Sequence, residues 1–480
     1  MGFLSKIIGI PTISKMALGI LKKRVFKPFQ IPLEEIIEKQ EERLKKKFRR
    51  MEGTGLGKKL GVHRGVKLSE LPITDYEFYK PFYDNPSLND YMYPLEEYIR
   101  VKTSGTAGKE KWFMVTREAM LRSFRETGIA VVLGIFHDGE KITLDYGDDL
   151  YVNMAPGPFL GSTLVSMGAK ENPFFNFVPN LNLSYKDKVQ YFILNHEKID
   201  AAVMLASTLV SQVMPAIGRP IKLKGLLVPD SNIGEIYRDE IEEFTGTKLK
   251  NVYASTETRV CTIPSIQYSL GFIFDWRRGI FEFLPAKNGE KSVAIDDVKV
   301  GDVYRLVYTD FQGELTKYDT KDSFICVAKG DDILNTDCPV FKFFSRLEKT
   351  IALQTFTRIS EEELLTAFSE AGIPYIDFTT RVEVEGGFEY LIIYLEYVGS
   401  LTVEKIRESI HEQLYGKDKD YHDLVDFFDY VPIKIRLVPR GVFAKYLEGI
   451  PTGGFPKVDK INMSDKEFER LVRLIKGESM

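Results

Sequence analysis

Residues 301–328, GDVYRLVYTDFQGELTKYDTKDSFICVA, alternate apolar and polar side chains in two runs that a glycine-containing turn separates. A period of two is typical of antiparallel strands, because successive side chains point to opposite faces of the sheet. The flanking stretches GIFEFLPA at 279–286 and FKFFSR at 341–346 have the same period. The sequence therefore predicts an antiparallel sheet from about residue 279 to Arg346.

Upstream of this sheet, helical and strand patterns alternate. The stretch 116–136 has a helical pattern, and short apolar strands are predicted within 148–157, 199–207 and 221–230. A further helix, YRDEIEEFTG, should stop at Gly246. This succession predicts an α/β fold with parallel strands. The turn-rich residues 53–86 carry no sustained period, and we expect an ordered loop region there.

Downstream of Arg346, a new series of helix and strand patterns begins. Its segments are EEELLTAFSEAG, FTTRVEVE, EYLIIYLEYV and VEKIRESIHEQL, within a stretch long enough for a small domain. We therefore divide the chain into a basic helical region at 1–50, a large domain at 51–345 and a small α+β domain at 346–480, with a hinge near Arg346.

Bulk composition excludes several classes of protein. The 480 residues have a formal net charge of -4, and no basic stretch carries the interleaved aromatic residues of a nucleic-acid groove. Three cysteines without paired spacing and five scattered histidines indicate neither disulfides nor a zinc site. We expect a protein of the reducing cytoplasm that does not bind nucleic acid.

The N-terminal region is basic and amphipathic. Lys6, Pro11 and Lys15 interrupt its apolar run well short of a membrane span. Two interpretations remain open for this region. Its helices fold over the large domain with a solvated basic face, or they contact an anionic bilayer from one side.

The stretch VKTSGTAGKEKW at 101–112 combines glycines, hydroxyl side chains and two lysines. Such a loop offers backbone N–H groups, hydroxyls and positive charge to a phosphate. It does not match the common P-loop, because only Thr106 and Ala107 separate Gly105 from Gly108. By itself, the stretch is equally typical of a surface hairpin rich in turn-forming residues.

Three further stretches lie where a strand ends or a loop begins, which is where α/β proteins bind ligands. They are NVYASTETRV at 251–260, GELTKYDTKDSF at 313–324 and GGFPKVDKI at 453–461. The first could also be a strand end whose Thr-Glu pair caps a following helix.

In this order, with the glycine-rich loop first, these stretches resemble the adenylate-forming enzymes. Within them the chain looks most like the acyl acid amido synthetases that conjugate auxin and jasmonate, and their bacterial and archaeal relatives. The phenylacetate-CoA ligases are the next most similar family. The resemblance is carried by YASTE, GIFEFLPA, VKVGDVYRLVYTDFQGELTKYDTKD and FKFFSRLEKTIALQTFTRISEEEL, and covers about residues 45–460.

The resemblance implies a large N-terminal domain of mixed α/β sheets with an antiparallel portion, a small mobile C-terminal domain, and ATP with Mg²⁺ as cofactors. Ser104, Gly105, Thr106 and Gly108 would donate to the β- and γ-phosphates, and Lys109 or Lys111 would supply positive charge.

The later motifs of the family imply roles for further residues of this chain. The implied nucleotide-binding residues are Tyr253 on adenine, Ser255, Thr256 at the α-phosphate, Glu257 as the Mg²⁺ ligand, Asp322 on the ribose hydroxyls and Arg346 at the hinge. Lys457 would reach the forming acyl-phosphate bond. One departure stands out, since the family has glycine before the ribose aspartate and this chain has Lys321. If that position needs positive φ, lysine is unfavourable there, and Asp319 is the alternative ribose ligand.

The expected activity is adenylation of a carboxylic acid by ATP, followed by transfer of the acyl group to an amine. The alternative acceptor is coenzyme A, which would give a thioester. A third hypothesis is a nucleotide-binding or membrane-surface protein that has lost turnover. The apolar stretches 172–177, 206–213 and 271–279 are candidates for the acyl pocket, although aromatic residues of this kind more often form a core.

Overall fold

A computed structural model describes residues 11–102, 111–154, 160–229, 234–235, 237–285, 291–346, 350–354, 357–448, 458–461 and 463–477. Two compact units divide the chain, the larger ending at Arg346 and the smaller continuing from Leu347. Each unit has its own hydrophobic core. In the described part of the chain, no helix combines the length and the apolar character that crossing a membrane requires.

The N-terminal helices α1 (Pro11–Arg24) and α2 (Leu33–Met51) pack on the larger unit. Helix α2 begins with Glu34 and Glu35 and ends with Arg49 and Arg50, so the charges at both ends favour the helix dipole. Its buried residues recur at helical spacing and form one face, which consists of Ile36, Gln40, Lys47, Phe48 and Met51. This packing agrees with the first of the two interpretations of the N-terminal region, in which its helices fold over the large domain.

The turn-rich region that follows is more helical than its composition indicates. It contains α3 (Gly55–Leu60) and α4 (Tyr76–Asp84). Each helix begins at a side-chain cap, since Thr54 accepts from the backbone N–H of Gly57 and Asp75 accepts from that of Phe78. Helix α3 is too short to show a period. In α4 the buried Tyr76, Tyr79 and Tyr83 do recur at helical spacing, but Pro81 lies within the helix, and proline favours the prediction of a loop.

The predicted parallel sheet is present and has five strands in the order β4-β3-β5-β6-β7. All four pairings are parallel. The strands are β3 (Asp149–Val152), β4 (Asn176–Val178), β5 (Ala201–Val203), β6 (Gly225–Leu227) and β7 (Leu249–Lys250). The helices around them are α5 (Arg117–Arg122), α6 (Ile129–Ile135), α7 (Leu160–Glu171), α8 (Tyr185–Asn195), α9 (Ala206–Thr208), α10 (Met214–Ile217) and α11 (Arg238–Thr245). Gly246 ends α11 in the left-handed conformation, as predicted.

The predicted antiparallel sheet has six strands in the order β10-β11-β15-β14-β13-β12. These strands are β10 (Thr262–Pro264), β11 (Phe272–Phe274), β12 (Gly279–Pro285), β13 (Val303–Asp310), β14 (Tyr318–Ala328) and β15 (Val340–Arg346). One face carries a cluster of aromatic side chains that includes Phe274, Phe283, Phe324 and Phe341. Of the stretch 271–279, Phe272 and Phe274 belong to this core, so the structural role dominates there.

The smaller unit is an α+β arrangement. A hairpin of β16 (Thr350–Leu353) and β17 (Thr357–Ser360) precedes a three-stranded sheet of β18 (Tyr375–Glu385), β19 (Phe388–Tyr397) and β20 (Ile433–Leu437). In this sheet β18 and β19 are antiparallel, and β19 and β20 are parallel. The helices are α12 (Glu361–Glu370), α13 (Val403–Lys417), α14 (Lys419–Phe428), α15 (Val442–Glu448) and α16 (Asp465–Ile475).

Candidate functional site

The glycine-rich stretch connects two antiparallel strands. Strand β1 (Tyr98–Lys102) pairs with β2 (Trp112–Thr116), and Lys102 lies opposite Trp112. The predicted phosphate ligands Ser104, Gly105, Thr106, Gly108 and Lys109 lie outside the described residues. Lys111 is described, and its Nζ lies 5.5 Å from the centre of the Tyr76 ring.

The YASTE stretch forms a short hairpin. Strands β8 (Ala254–Ser255) and β9 (Arg259–Val260) pair in antiparallel register, with Thr256, Glu257 and Thr258 between them. The hydroxyl of Ser255 accepts from the backbone N–H of Thr258 at 3.2 Å, which closes the turn. The alternative of a Thr-Glu pair capping a helix is therefore wrong, because the chain reverses into β9 instead of continuing into a helix.

A narrow cleft in the larger unit brings this hairpin beside β2. Three segments contribute to its walls: the hairpin, the strand that follows the glycine-rich stretch, and the segment after β13. The lining residues are Tyr83, Phe113, Met114, Val115, Thr256, Glu257, Arg259, Asp310, Gly313, Glu314 and Leu315. Two predicted site residues, Thr256 and Glu257, thus share a cleft with the strand that leaves the predicted phosphate loop.

The cleft also contains a buried ion pair that the sequence analysis missed. The guanidinium of Arg259 donates to both carboxylate oxygens of Asp310, at 2.7 and 2.9 Å, and its Nε donates to the hydroxyl of Ser123 at 3.2 Å. Burial alone would raise the pKa of Asp310, but the adjacent guanidinium holds it below its usual value. Asp310 is therefore a fixed negative charge whose partner is already in place.

Gly313 allows this pair to form. A Cβ atom at Gly313 would lie 2.5 Å from Oδ2 of Asp310, so a larger residue would displace the carboxylate. Beside it, the buried Glu314 accepts hydrogen bonds from the hydroxyl of Tyr98 and from the backbone N–H of Met92. Burial raises the pKa of Glu314, whereas the pKa of Asp310 is lowered. The two carboxyl groups of this segment thus have opposite shifts within one cleft.

Tyr253 and Asp322 are joined by a hydrogen bond. The hydroxyl of Tyr253 donates to Oδ2 of Asp322 at 2.7 Å, and both side chains are buried. The Tyr253 ring packs edge-on against Phe324, with ring centres 4.8 Å apart, and parallel to Phe272 at 6.3 Å. Burial raises the pKa of Tyr253 well above its usual value, so the phenol stays a donor at neutral pH.

The backbone beside Asp322 is irregular. Lys321 has φ of +63°, which is the left-handed conformation that favours glycine. The pairing of β13 and β14 shifts register between Arg305 and Val307, at the level of this residue. Asp319 accepts from the backbone N–H of Lys321 at 3.0 Å and from its Nζ at 2.8 Å, and Arg305 lies 3.2 Å from it. Asp319 is thus engaged locally.

The two remaining predicted residues lie near or beyond described segments. Arg346 is the last residue of β15 and lies opposite Asp322 in the register of β14 and β15. Its backbone is described and its side chain is not. Lys457 lies outside the described residues. The roles assigned to both residues stay predictions.

Comparisons with known proteins agree with the architecture. Residues 272–346 match the GH3 family central domain. The structure of 2-hydroxyisobutyryl-CoA ligase with 2-HIB-AMP and CoA superposes with a TM-score of 0.64 at 14% identity, over 94% of each chain. The AtGH3.15 acyl acid amido synthetase in complex with 2,4-DB superposes with a TM-score of 0.54 at 15% identity, over 98% of this chain and 97% of that one. No curated protein sequence matches the chain.

These findings confirm the resemblance that the sequence motifs indicated. The matched segment 272–346 coincides with strands β11 to β15, the part of the chain whose period of two is clearest. The chain has the fold of these two ligases, and residues 272–346 of its antiparallel sheet are similar to the central domain of the GH3 family.

Proposed function

We propose that this protein uses ATP to adenylate a carboxylic acid and then transfers the acyl group to an amine. The observation that carries this proposal is the cleft that joins Thr256 and Glu257 to strand β2, directly after the glycine-rich stretch, in a chain with an adenylate-forming fold. Catalysis of such a reaction rests on positioning and charge stabilisation.

In the first half-reaction, a carboxylate oxygen of the acid attacks the α-phosphorus of ATP. The bond from this phosphorus to the bridging oxygen breaks, and pyrophosphate leaves with that oxygen. Ser104, Gly105, Thr106, Gly108 and Lys109 or Lys111 would hold the β- and γ-phosphates, Thr256 would contact the α-phosphate, and Lys457 would reach the forming bond. Glu257 is the residue that would hold Mg²⁺, since one carboxylate with phosphate oxygens and water is a common magnesium site.

The nucleoside would be held by the pair Tyr253 and Asp322. The phenol fixes one oxygen of the carboxylate, which supports a role for Asp322 in binding the ribose hydroxyls. Ser255 would face the adenine side, and Arg346, opposite Asp322 in register, would contribute from the hinge. The predicted stacking of Tyr253 on adenine does not agree with the structure, because its ring is buried against Phe272 and Phe324. Asp322 is the aspartate that the family motif indicates, and both it and Asp319 already have partners in the protein.

In the second half-reaction, the amine nitrogen attacks the acyl carbon and loses a proton to solvent, and AMP departs with the bridging oxygen. The match of residues 272–346 to the GH3 central domain favours an amine acceptor such as an amino acid. The similarity to a CoA ligase supports coenzyme A as the alternative. We propose that the small domain 346–480 moves between the two half-reactions. Incubation with acid, ATP and either an amino acid or CoA, followed by mass spectrometry of the products, separates an amide from a thioester.

The decisive experiment is ATP–pyrophosphate exchange with a panel of aromatic, fatty and short-chain acids. Exchange that depends on one class of acid, and that Glu257→Gln abolishes, is the expected result. The exposed Glu140→Gln is the matched control and should exchange like the wild type. A protein that binds ATP but shows no exchange with any acid would instead be a non-catalytic nucleotide-binding protein.

We further propose a cytoplasmic protein whose N-terminus contacts anionic membranes. Residues 1–33 contain six Lys or Arg and no Asp or Glu, and Met16 and Ile20 on α1 are 65% and 50% exposed. An exposed apolar pair among basic residues suits an anionic bilayer surface. The full chain should float with liposomes that contain phosphatidylserine, and Met16→Glu/Ile20→Glu should not. Equal flotation of both would refute this contact.

A further inference from the structure

Lys47 is buried and makes an unusual set of contacts. Its Nζ donates to three backbone carbonyls, those of Asp310 at 2.8 Å, Gly313 at 2.6 Å and Leu315 at 2.8 Å. The residue is 2% exposed and lies on the buried face of α2. All three hydrogen atoms of the ammonium are therefore used, and each bond goes to the same six-residue segment.

The segment that Lys47 holds is a wall of the cleft. Asp310, Gly313, Glu314 and Leu315 all line it together with Glu257. The carbonyls of this segment bind Lys47, while its side chains supply the partner of Arg259 and the second carboxyl group of the cleft. The placement of this segment therefore sets the positions of two carboxyl groups in the cleft, those of Asp310 and Glu314.

Packing alone does not explain a buried ammonium, because an apolar side chain packs without the cost of desolvating a charge. Removing it from water costs several kcal/mol unless hydrogen bonds and opposite charges compensate. A leucine or methionine would fill the same space without this cost. The charge of Lys47 is explained by what it binds, a segment that starts at the last residue of β13 and then runs without regular structure towards β14.

Two other residues of α2 act on a neighbouring segment. Gln40 donates to the carbonyl of Gly279 at 2.8 Å, and Arg43 donates to that of Arg277 at 2.8 Å. Neither Gly279 nor Arg277 is among the residues that line the cleft. Gln40 is buried like Lys47, so it offers a matched comparison on the same helix.

We propose that Lys47 is a positioning residue of the adenylation site, which holds the segment 310–315 so that Asp310 and Glu314 take their places in the cleft. This inference rests on the proposed function. It assigns α2, part of the basic N-terminal region, to the site itself.

The charge of Lys47 provides a readout that packing would not move. Burial lowers its pKa to about 8, and the charged groups that face it are Asp310, Glu314 and Arg259. Above about pH 8 the ammonium loses its charge and one donor. The rate of ATP–pyrophosphate exchange by the wild type should therefore fall as the pH rises above this value. In Lys47→Met nothing titrates at this position, and this alkaline decline should be absent.

The test compares Lys47→Met with Gln40→Met in the full chain. We expect kcat of ATP–pyrophosphate exchange to fall roughly 10- to 100-fold in Lys47→Met, as for misplaced catalytic groups, with a smaller change in KM for ATP. Hydrogen exchange measured by mass spectrometry should speed up in peptides that contain 310–315. Gln40→Met should keep the wild-type kcat of ATP–pyrophosphate exchange and the wild-type rate of hydrogen exchange in 310–315. If Lys47→Met does not fold, Lys47→Gln, which retains an amide donor, is measured in the same way.

Two outcomes overturn the proposal. One is unchanged hydrogen exchange of 310–315 in a folded Lys47 variant, and the other is an equal loss of activity in Gln40→Met. If the wild type shows no acid-dependent exchange at all, the proposed function fails, while the hydrogen-exchange comparison still decides whether Lys47 positions the segment.

Discussion

Arg259 and Asp310 form a two-point ion pair in which both side chains are 2% exposed. They are 51 positions apart in the sequence and come from different structures, the short hairpin of YASTE and the end of β13. Both residues line the cleft that contains Glu257. Loss of the pair should therefore affect both the stability of the larger unit and the geometry of the cleft.

Removal of one partner of this pair should be strongly destabilising. In Arg259→Met the carboxylate of Asp310 stays buried without its cation, and we expect the free energy of unfolding to fall by about 3–5 kcal/mol. Urea unfolding followed by tryptophan fluorescence measures this, because both Trp112 and Trp276 lie in the larger unit. The double variant Arg259→Met/Asp310→Leu should recover part of the loss. A loss below about 1 kcal/mol in the single variant would contradict the buried pairing.

The hydroxyl of Tyr253 should matter both for folding and for ATP. Tyr253→Phe keeps the ring packing against Phe324 and removes the 2.7 Å bond to Asp322. A buried hydrogen bond to a charged group contributes about 1.5–3 kcal/mol to stability, so the free energy of unfolding should fall by about this amount. Because the phenol also holds the carboxylate proposed to bind the ribose, KM for ATP should rise, on the order of tenfold. Tyr304→Phe is the control, because its hydroxyl bonds Asp302 at 3.4 Å on the same sheet. An unchanged KM in Tyr253→Phe would remove Asp322 from the nucleotide site.

Lys321 should be replaceable by glycine at no cost in stability. Its φ of +63° is unfavourable for any side chain with a Cβ, and its ion pair with Asp319 is partly exposed. Lys321→Gly and Lys321→Ala lose the same ion pair, but only glycine adopts the left-handed conformation without a steric penalty from a Cβ atom. We expect Lys321→Gly to be more stable than Lys321→Ala by about 1 kcal/mol in urea unfolding. Equal stabilities would show that the left-handed conformation is not strained here.

The smaller unit should become less stable as the pH rises from 5 to 8.5. Burial, with the nearby Asp418 and Asp423, raises the pKa of Asp420 to about 8. A carboxyl whose folded pKa exceeds its unfolded value stabilises the fold fully below the unfolded pKa, and this contribution is lost as pH rises through about 8.

Hydrogen exchange of the amides in α14 at both pH values measures the effect. The local opening free energy should fall by an amount on the order of 1–3 kcal/mol in the wild type. In Asp420→Asn the fall should be smaller, because the amide does not titrate, and the part that remains comes from Asp418, whose pKa burial raises to about 6. Asp426→Asn, at an exposed position on the same helix, should behave like the wild type. A pH-independent wild type would contradict the raised pKa of Asp420.

Local patterns predicted much of the architecture. The period of two between residues 279 and 346 corresponds to strands β12 to β15, and Gly246 ends its helix because glycine tolerates positive φ. Two short helices escaped prediction: α3 because it has too few residues to show a period, and α4 because Pro81 lies within it. The YASTE stretch was predicted as a site, but its form as a hairpin was not.

By itself, the sequence indicated most of the strands and helices and the order of the motifs, because these depend on residue type and spacing along the chain. The candidates Thr256, Glu257 and Asp322 followed from the resemblance that those motifs carry, and their roles stay predictions. Only the tertiary structure revealed that Lys47 holds a segment 263 positions or more away, and that Arg259 pairs with Asp310. The physical reason is that lysine, arginine and aspartate are usually solvated. Nothing in the sequence distinguishes a charged residue at the surface from one that folding buries beside its partner.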